Sequence, residues 1–419
     1  MGRGAQGASV KREALVGALD LGSTKTCAII AEARGDGKAP KARVLGVGMA
    51  RSSGVKYGTV RDIDETTATI ERAMRDAERM AGVKVPSVFC GVAAENTCWQ
   101  METGLASVTG EEIRRQDTDR VDEVARAVSL GDGYELLHSI AQEYKVDSQG
   151  GISDPVGMTG LRLEVEMCLI GVHAQAAQNL ARSVKKAGYT VGELVLEPLA
   201  ASLAVLTSDE KELGCALVDM GGDSTTLAIF HDGKLRHVQS VRFAGARITS
   251  DLVQGLSVTQ ADAERIKERW GSAYTPAVNP DEMIELPGTP GQGPRGAKRE
   301  LVAHIIQERV DEVFGLVLGE IENAGYAGRL PAGVILAGGG SQLHGIVELG
   351  REVFAMPVRR GAPEGGISGL VDSVQAPRYA VPVGLALYGA LRRVRYDDYG
   401  GGGVGRILGP VKRWLQEFF

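Results

Sequence analysis

One pattern occurs twice in this chain. VGALDLGSTKTCAIIAE (residues 16–32) and CALVDMGGDSTTLAIFHDGKLRHV (215–238) each read as an apolar strand, an aspartate, a turn of Gly, Ser and Thr, and a second apolar strand. Each predicts a β-hairpin with an acid at its turn. Both run on into strand-like sequence, VLGVGMA (44–50) and LRHVQSVRFAG (235–245), and then into helical periodicity over 64–81 and 246–269. A β-β-β-α unit that recurs half a chain later implies two similar α/β domains facing each other. At 419 residues the chain is too long for one core and suits two to four structural units.

The remaining segments attach to that frame. Residues 13–93 and 172–210 are expected to form the first domain, with 376–395 packing back on it. Residues 211–246 and 331–375 form the core of the second, and 247–330 its outer subdomain. The stretch 94–171 breaks the repeat with short helices and strands and predicts a small inserted α+β subdomain. Helix 174–187, with Gly188 as its cap, returns the chain to the main pattern. Pro and Gly crowd 271–299, which predicts a long surface loop, and helix 300–324 follows. Residues 1–12 are expected to be disordered, and 396–405 (YDDYGGGGVG) to be a linker.

After that linker the chain ends RILGPVKRWLQEFF. At 100° per residue, Ile407, Leu408, Val411, Trp414, Leu415, Phe418 and Phe419 fall within an arc of roughly 140°, while Lys412 and Arg413 lie on the other side. This is an amphipathic helix, with Pro410 suited to its first turn. It either docks on its own domain or lies in an anionic membrane surface.

The bulk charge narrows the function. A net charge of -6 and a pI near 5.7 argue against a nucleic-acid surface, which needs clustered positive charge. The longest apolar run, YAVPVGLALYGAL, is too short to span a bilayer, and MGRGAQGASVKR lacks the apolar core of a signal peptide, so a cytoplasmic protein is expected. The five cysteines show neither CxxC spacing nor a disulfide framework, and the six histidines form no zinc pattern.

The chemistry lies at the turns. Backbone N–H groups without a neighbouring Cβ, together with hydroxyls, can hold phosphate. An aspartate beside them reaches phosphate only through a cation, so Asp20 and Asp219 would share a hydrated Mg²⁺. A third turn, Gly338, Gly339 and Gly340, follows the apolar strand VILA.

These segments together resemble the actin-like ATPase family, a duplicated ribonuclease-H-like fold with two phosphate loops, two connections and an adenosine loop. LDLGSTKT is similar to the first phosphate loop, VDMGGDSTT to the second, EPLAA (197–201) and VPVGLALYGA (381–390) to the connections, and GGGSQ to the adenosine loop. QEYKVDSQGGISDPVGMTGLRLE, in the inserted subdomain, and AGYTVGELVLEPLAAS resemble the members of this family that act in bacterial cell division. That likeness extends over nearly the whole chain.

The resemblance implies ATP and Mg²⁺ between the two domains. Asp20, Gly22, Ser23 and Thr24 would lie on one side, Asp219, Gly221 and Gly222 on the other, and Gly338–Gly340 would complete the cleft. Glu264 and Lys267 match ribose and adenine contacts; by spacing alone they make a solvated i,i+3 ion pair. Glu197 stands where relatives orient the hydrolytic water, or it could satisfy nearby backbone amides, so at most a slow ATPase is expected. Where the family commonly has Asp-x-Gly-Gly-Gly-Thr, this chain has Asp223 and Ser224, and a carboxylate at 223 must turn away from phosphate or bind the metal.

The function implied is a filament-forming adaptor on the cytoplasmic face of the inner membrane at the division site. It would bind the C-terminal tail of the tubulin-like protein FtsZ through 247–330, with Arg309 and Glu312 as candidate contacts, and later division proteins through the inserted subdomain. A type IV pilus component of this fold and a small-molecule kinase are the alternatives.

Overall fold

The computed structural model describes residues 14–34, 39–288 and 293–398, with side chains to 394. β1 (Leu15–Leu21) and β2 (Lys25–Arg34) close the first hairpin, in which Asp20 faces Cys27. β3 (Lys41–Arg51) extends it, and a small hairpin of β4 (Val55–Lys56) and β5 (Thr59–Val60) leads to α1 (Ile63–Ala81). Asp62 caps α1 by accepting from the Glu65 amide, and Gly82 ends it at φ 68°. β6 (Ser87–Val92) runs parallel to β1.

The insertion follows. β7 (Thr97–Ser107), α2 (Arg115–Arg126), β8 (Tyr134–Val146), β9 (Gln149–Ile152) and β10 (Arg162–His173) make a separate sheet in the order β7-β10-β8-β9. It has its own core around Ile113, Val121, Tyr144 and Met167. α3 (Ala174–Lys186) and β11 (Thr190–Leu196) return to the first sheet, where β11 pairs parallel with β6.

α4 (Glu197–Val205) and α5 (Ser208–Leu213) lead into the second half. β12 (Cys215–Met220) and β13 (Thr225–His231) form the second hairpin, in which Asp219 faces Thr226, and β14 (Lys234–Val241) extends it. α6 (Gly245–Leu256) and α7 (Gln260–Trp270), a hairpin of β15 (Met283–Leu286) and β16 (Arg295–Lys298), and α8 (Arg299–Asn323) come next. β17 (Gly333–Ala337), α9 (Ile346–Phe354) and β18 (Val358–Arg360) complete the sheet, β19 (Ile367–Gly369) joins the edge of the first one, and α10 (Ala380–Asp398) closes the described chain.

The two large sheets share one strand order. β11-β6-β1-β2-β3 corresponds position by position to β18-β17-β12-β13-β14. α4 and α10 lie between them in one core that joins Val16 and Ile29 of the first sheet to Leu217 and Phe230 of the second. The helices cross where Gly384 has no side chain, since a Cβ there would lie 1.8 Å from the Ala200 carbonyl oxygen.

Three elements differ from their sequence expectation. The periodicity over 246–269 is two helices, because Ser257 turns left-handed at φ 47° and Thr259 caps α7 through the Asp262 amide at 3.2 Å. The segment 271–299 contains β15 and β16, whose Ile284 and Leu286 are buried against the second domain's outer core. α10 continues to Asp398 and so takes in the start of the segment read as a linker. The expected terminal helix, with Ile407, Leu408, Val411, Lys412, Arg413, Trp414, Leu415, Phe418 and Phe419, lies outside the described residues.

Candidate nucleotide-binding cleft

The duplication holds down to single atoms. A Cβ on Gly22 would lie 2.9 Å from the Lys25 carbonyl oxygen, and one on Gly221 would lie 3.0 Å from that of Ser224. Each glycine therefore lets its hairpin close tightly beside the aspartate. The two turns meet across the cleft, because a Cβ on Gly222 would come within 2.4 Å of the Thr24 methyl group. Ser23 lies next to Thr24 at the same turn.

The third turn packs on the second. Gly338 sits at φ 79°, and a Cβ there would lie 2.2 Å from Asp219 Oδ1 and 2.5 Å from the Met220 carbonyl oxygen. Gly340 abuts Met220 in the same way, whereas the space beside Gly339 is open. The Gly338 carbonyl accepts from the buried Ser341 hydroxyl at 2.8 Å, which fixes the turn from beneath.

Charge is concentrated between these turns. Lys25 Nζ donates to Asp20 Oδ2 at 2.9 Å. Burial opposes the Lys25 charge, but Asp20, helped by Cys27 and Asp219, raises its pKa overall. Burial and then Asp20 push the Asp219 carboxyl up to about 6. Glu197 starts α4 with its side chain over Gly91, where a Cβ would lie 2.9 Å from Glu197 Cγ. Burial, reinforced by Asp20, Glu95 and Asp219, pushes its carboxyl well above the usual carboxylate range.

This donor set fits a cation that keeps its water. Among the described residues no group of three or more His, Cys, Asp or Glu side chains is arranged to hold an ion directly. Acids crowded enough to raise the pKa of Asp219 and Glu197, with Lys25 beside them, suit a hydrated Mg²⁺ accompanied by phosphate.

The other candidates divide into two places. α6 begins on the second turn, where Gly245 and Ala246 donate to the Gly221 and Gly222 carbonyls at 3.3 and 2.7 Å. Lys267 Nζ donates to the Gly245 carbonyl at 3.1 Å, to Thr249 Oγ1 at 2.8 Å and to Glu264 Oε2 at 2.8 Å. Glu264 and Lys267 thus form the i,i+3 pair that spacing suggests, with Lys267 largely buried against the start of α6 and Glu264 partly exposed. Arg309 and Glu312 lie away on α8 and pair with each other, and Arg309 Nε also donates to Asp251 on α6 at 2.6 Å.

Two residues at the cleft were not singled out in the sequence. Lys25 had a readable signal, a lone cation inside the phosphate-type turn LGSTKT. Glu95, whose Oε1 accepts from Ser240 at 2.8 Å, had none, since its partner is far along the chain.

Comparison with known proteins identifies the family and the fold. Residues 216–384 match the family model described as cell division protein FtsA, and residues 96–171 match the SHS2 domain inserted in FtsA. The chain is 36% identical over 420 residues to the cell division protein FtsA of Pseudomonas aeruginosa, covering 98% of this chain and all of that protein. It is 36% identical over 416 residues to FtsA of Escherichia coli, covering 97% of this chain and 98% of that one. Among solved structures it resembles a PilM-PilN type IV pilus biogenesis complex, with a TM-score of 0.64 at 15% identity over 90% of this chain and 98% of that one. It also resembles MreB5 of Spiroplasma citri bound to ADP, with a TM-score of 0.56 at 14% identity over 93% and 100%. At such identities these structures establish the actin-like fold alone.

Proposed function

The chain belongs to the FtsA family of cell-division proteins, and from that premise we propose that it binds Mg·ATP between its two halves, assembles on the membrane and anchors FtsZ filaments there. The observation that carries the nucleotide reading is the pair of equivalent turns, each closed by a bare glycine beside a terminal aspartate and meeting the other across the cleft. MreB5 of this fold has been solved with ADP and with AMPPNP, which supports nucleotide binding by a chain of this fold.

In this reading the turn amides and the hydroxyls of Ser23 and Thr24 hold the phosphates, and Gly338–Gly340 leave room for the adenosine. Lys267 and Glu264 face the sugar and base from α7. Lys25 neutralises Asp20 until phosphate arrives and then has a second anion to serve. A Mg²⁺ bound through water to Asp20 and Asp219 would supply charge neutralisation at the phosphates. Burial and the neighbouring acids hold the Glu197 carboxyl well above the usual carboxylate range, which works against the ionised form that a general base needs and suits slow hydrolysis at most.

The partners follow from the family. The surface of 247–330, with Arg309 and Glu312, is the proposed seat of the FtsZ tail, and the SHS2 subdomain that of later division proteins. Among the described residues no helix is long and apolar enough to cross a membrane, so attachment at the division site is assigned to the amphipathic sequence 406–419. The pilus protein is similar in fold alone, at 15% identity, whereas the FtsA relatives match nearly end to end.

Calorimetry with Mg·ATP tests the core of this proposal. The wild-type chain should bind, and Asp219→Ala should bind more weakly by about 1 to 3 kcal/mol. Equal affinities would remove Asp219 from the site.

A further inference from the structure

Asp223 occupies the turn between β12 and β13, where a carboxylate beside phosphate would be repulsive. Its Oδ2 accepts a hydrogen bond at 3.2 Å from the backbone amide of Tyr57, a residue of the opposite half. Tyr57 is itself held in an uncommon conformation, at φ 50° between β4 and β5. Neighbouring contacts fix that hairpin. Asn96 Nδ2 donates to the Gly58 carbonyl at 2.7 Å, Thr59 Oγ1 donates to Asn96 Oδ1 at 2.9 Å, and a Cβ on Gly58 would lie 2.2 Å from that of Ala93.

The same seam is crossed twice more. The Arg242 guanidinium, just past β14, lies 5.8 Å from the centre of the Tyr57 ring, and Ser240 of β14 donates to Glu95 at 2.8 Å. The β4–β5 hairpin and the turn 94–96 on one side are thereby joined to the second phosphate-type turn and the edge strand β14 on the other.

We infer that Asp223 is a positioning residue, a strut that holds the second phosphate-type turn against the β4–β5 hairpin of the opposite half through the Tyr57 backbone. Both ends of the strut belong to the chain, so it requires no ligand. A charged acceptor on a rigid amide is a stronger tie than a neutral one. It also commits one carboxylate oxygen to Tyr57, which makes Asp223 compatible with a phosphate site. Only this last consequence rests on the ATP reading.

Two variants of equal charge separate the strut from simple electrostatics. Asp223→Asn keeps an acceptor oxygen and removes the charge, whereas Asp223→Ala removes both. In the full-length protein without nucleotide, exchange of the Tyr57 amide hydrogen should be about 10-fold or more faster in Asp223→Ala than in wild type. Asp223→Asn should fall between the two, and α1 amides should be unchanged in both, which excludes general unfolding. With Mg·ATP, Asp223→Ala should bind at least about 5-fold more weakly than Asp223→Asn, since the charge is the same and only the tie differs. Unchanged Tyr57 exchange in Asp223→Ala would overturn the inference, as would equal ATP affinities for the two variants. Failure of the wild-type chain to bind ATP would instead overturn the proposed function and leave the nucleotide-free exchange as the deciding measurement.

Discussion

Burial and the charge of Asp20 push the Asp219 carboxyl up to about 6, from an ordinary value near 3.8. As pH rises from about 4 to about 6 the unfolded chain loses this proton before the folded one does, so the folded state binds more protons and stability falls. Asp219 therefore destabilises the protein at neutral pH, by about 2 kcal/mol after allowing for its partial exposure. Asp219→Asn should raise the urea midpoint relative to wild type at pH 7, and the gain should vanish near pH 4. A pH-independent difference would show that burial does not act on this carboxyl. A cation in the cleft would act in the opposite sense, so Mg·ATP affinity in the wild type should rise over the same range. At this scale the two aspartates and their glycines were legible, because a β-hairpin places the acid and the turn by local sequence alone. Asp223 was legible only as a problem. Its solution, the Tyr57 amide, depends on how two distant segments meet, and no local pattern encodes that. The same limit hid Glu95.

Among the elements, the strands of both hairpins and α3, which is capped by Ala187 and followed by left-handed Gly188, follow from apolar periodicity and turn chemistry. The break between α6 and α7 was present as Thr259 and Asp262, an N-cap pairing, but the apolar period continues through it and masks the stop. The β15–β16 hairpin was hidden by the proline and glycine around it, although MIEL alternates exposed and buried residues as an edge hairpin should. How the insertion is fastened could not be read at all. His138 on β8 is buried, and its Nε2 accepts from the Leu196 amide at 3.0 Å, immediately before Glu197. Burial, and secondarily Arg392, lowers its pKa to about 3, so the ring is neutral. Its folded value is below the unfolded value of 6.5, hence its contribution is complete above about 6.5 and is lost as pH falls toward 3. Relative to His138→Gln, which carries no such proton, the wild type should lose about 2 to 3 kcal/mol between pH 7 and pH 4.5. Parallel urea midpoints for the two proteins across that range would contradict a buried neutral histidine at this junction.

In the proposed function the whole molecule combines a cleft filled by a small ligand with a chain end held by a surface, and α10 would join the two. It crosses α4 in the central core, and Glu193 on β11 binds both Arg392 and the buried Tyr388, so the helix that leads to the end of the chain is fastened to the first sheet. Beyond the described residues, Trp414, Leu415, Phe418 and Phe419 fall in one arc at helical spacing in the sequence, with Lys412 and Arg413 outside it. On an anionic bilayer such a face buries its apolar groups at the acyl boundary, and each basic residue adds about 1 kcal/mol. One short helix of this kind attaches reversibly, much as a single acyl chain does. Subunits joined in a filament present many such helices at once, and tethering raises the effective affinity by about 10² or more with no new contact. In the proposed function, assembly by the two-domain body would therefore turn a weak anchor into a firm one. Deletion of 406–419, or Trp414→Glu, should abolish co-sedimentation with vesicles containing anionic lipid and leave Mg·ATP binding unchanged. At fixed protein concentration, ATP should increase the membrane-bound fraction of the full-length chain and have no effect on the truncated one. If the truncated protein still sediments with vesicles and loses thermal stability, the segment belongs to the folded body and the membrane must be held by another surface.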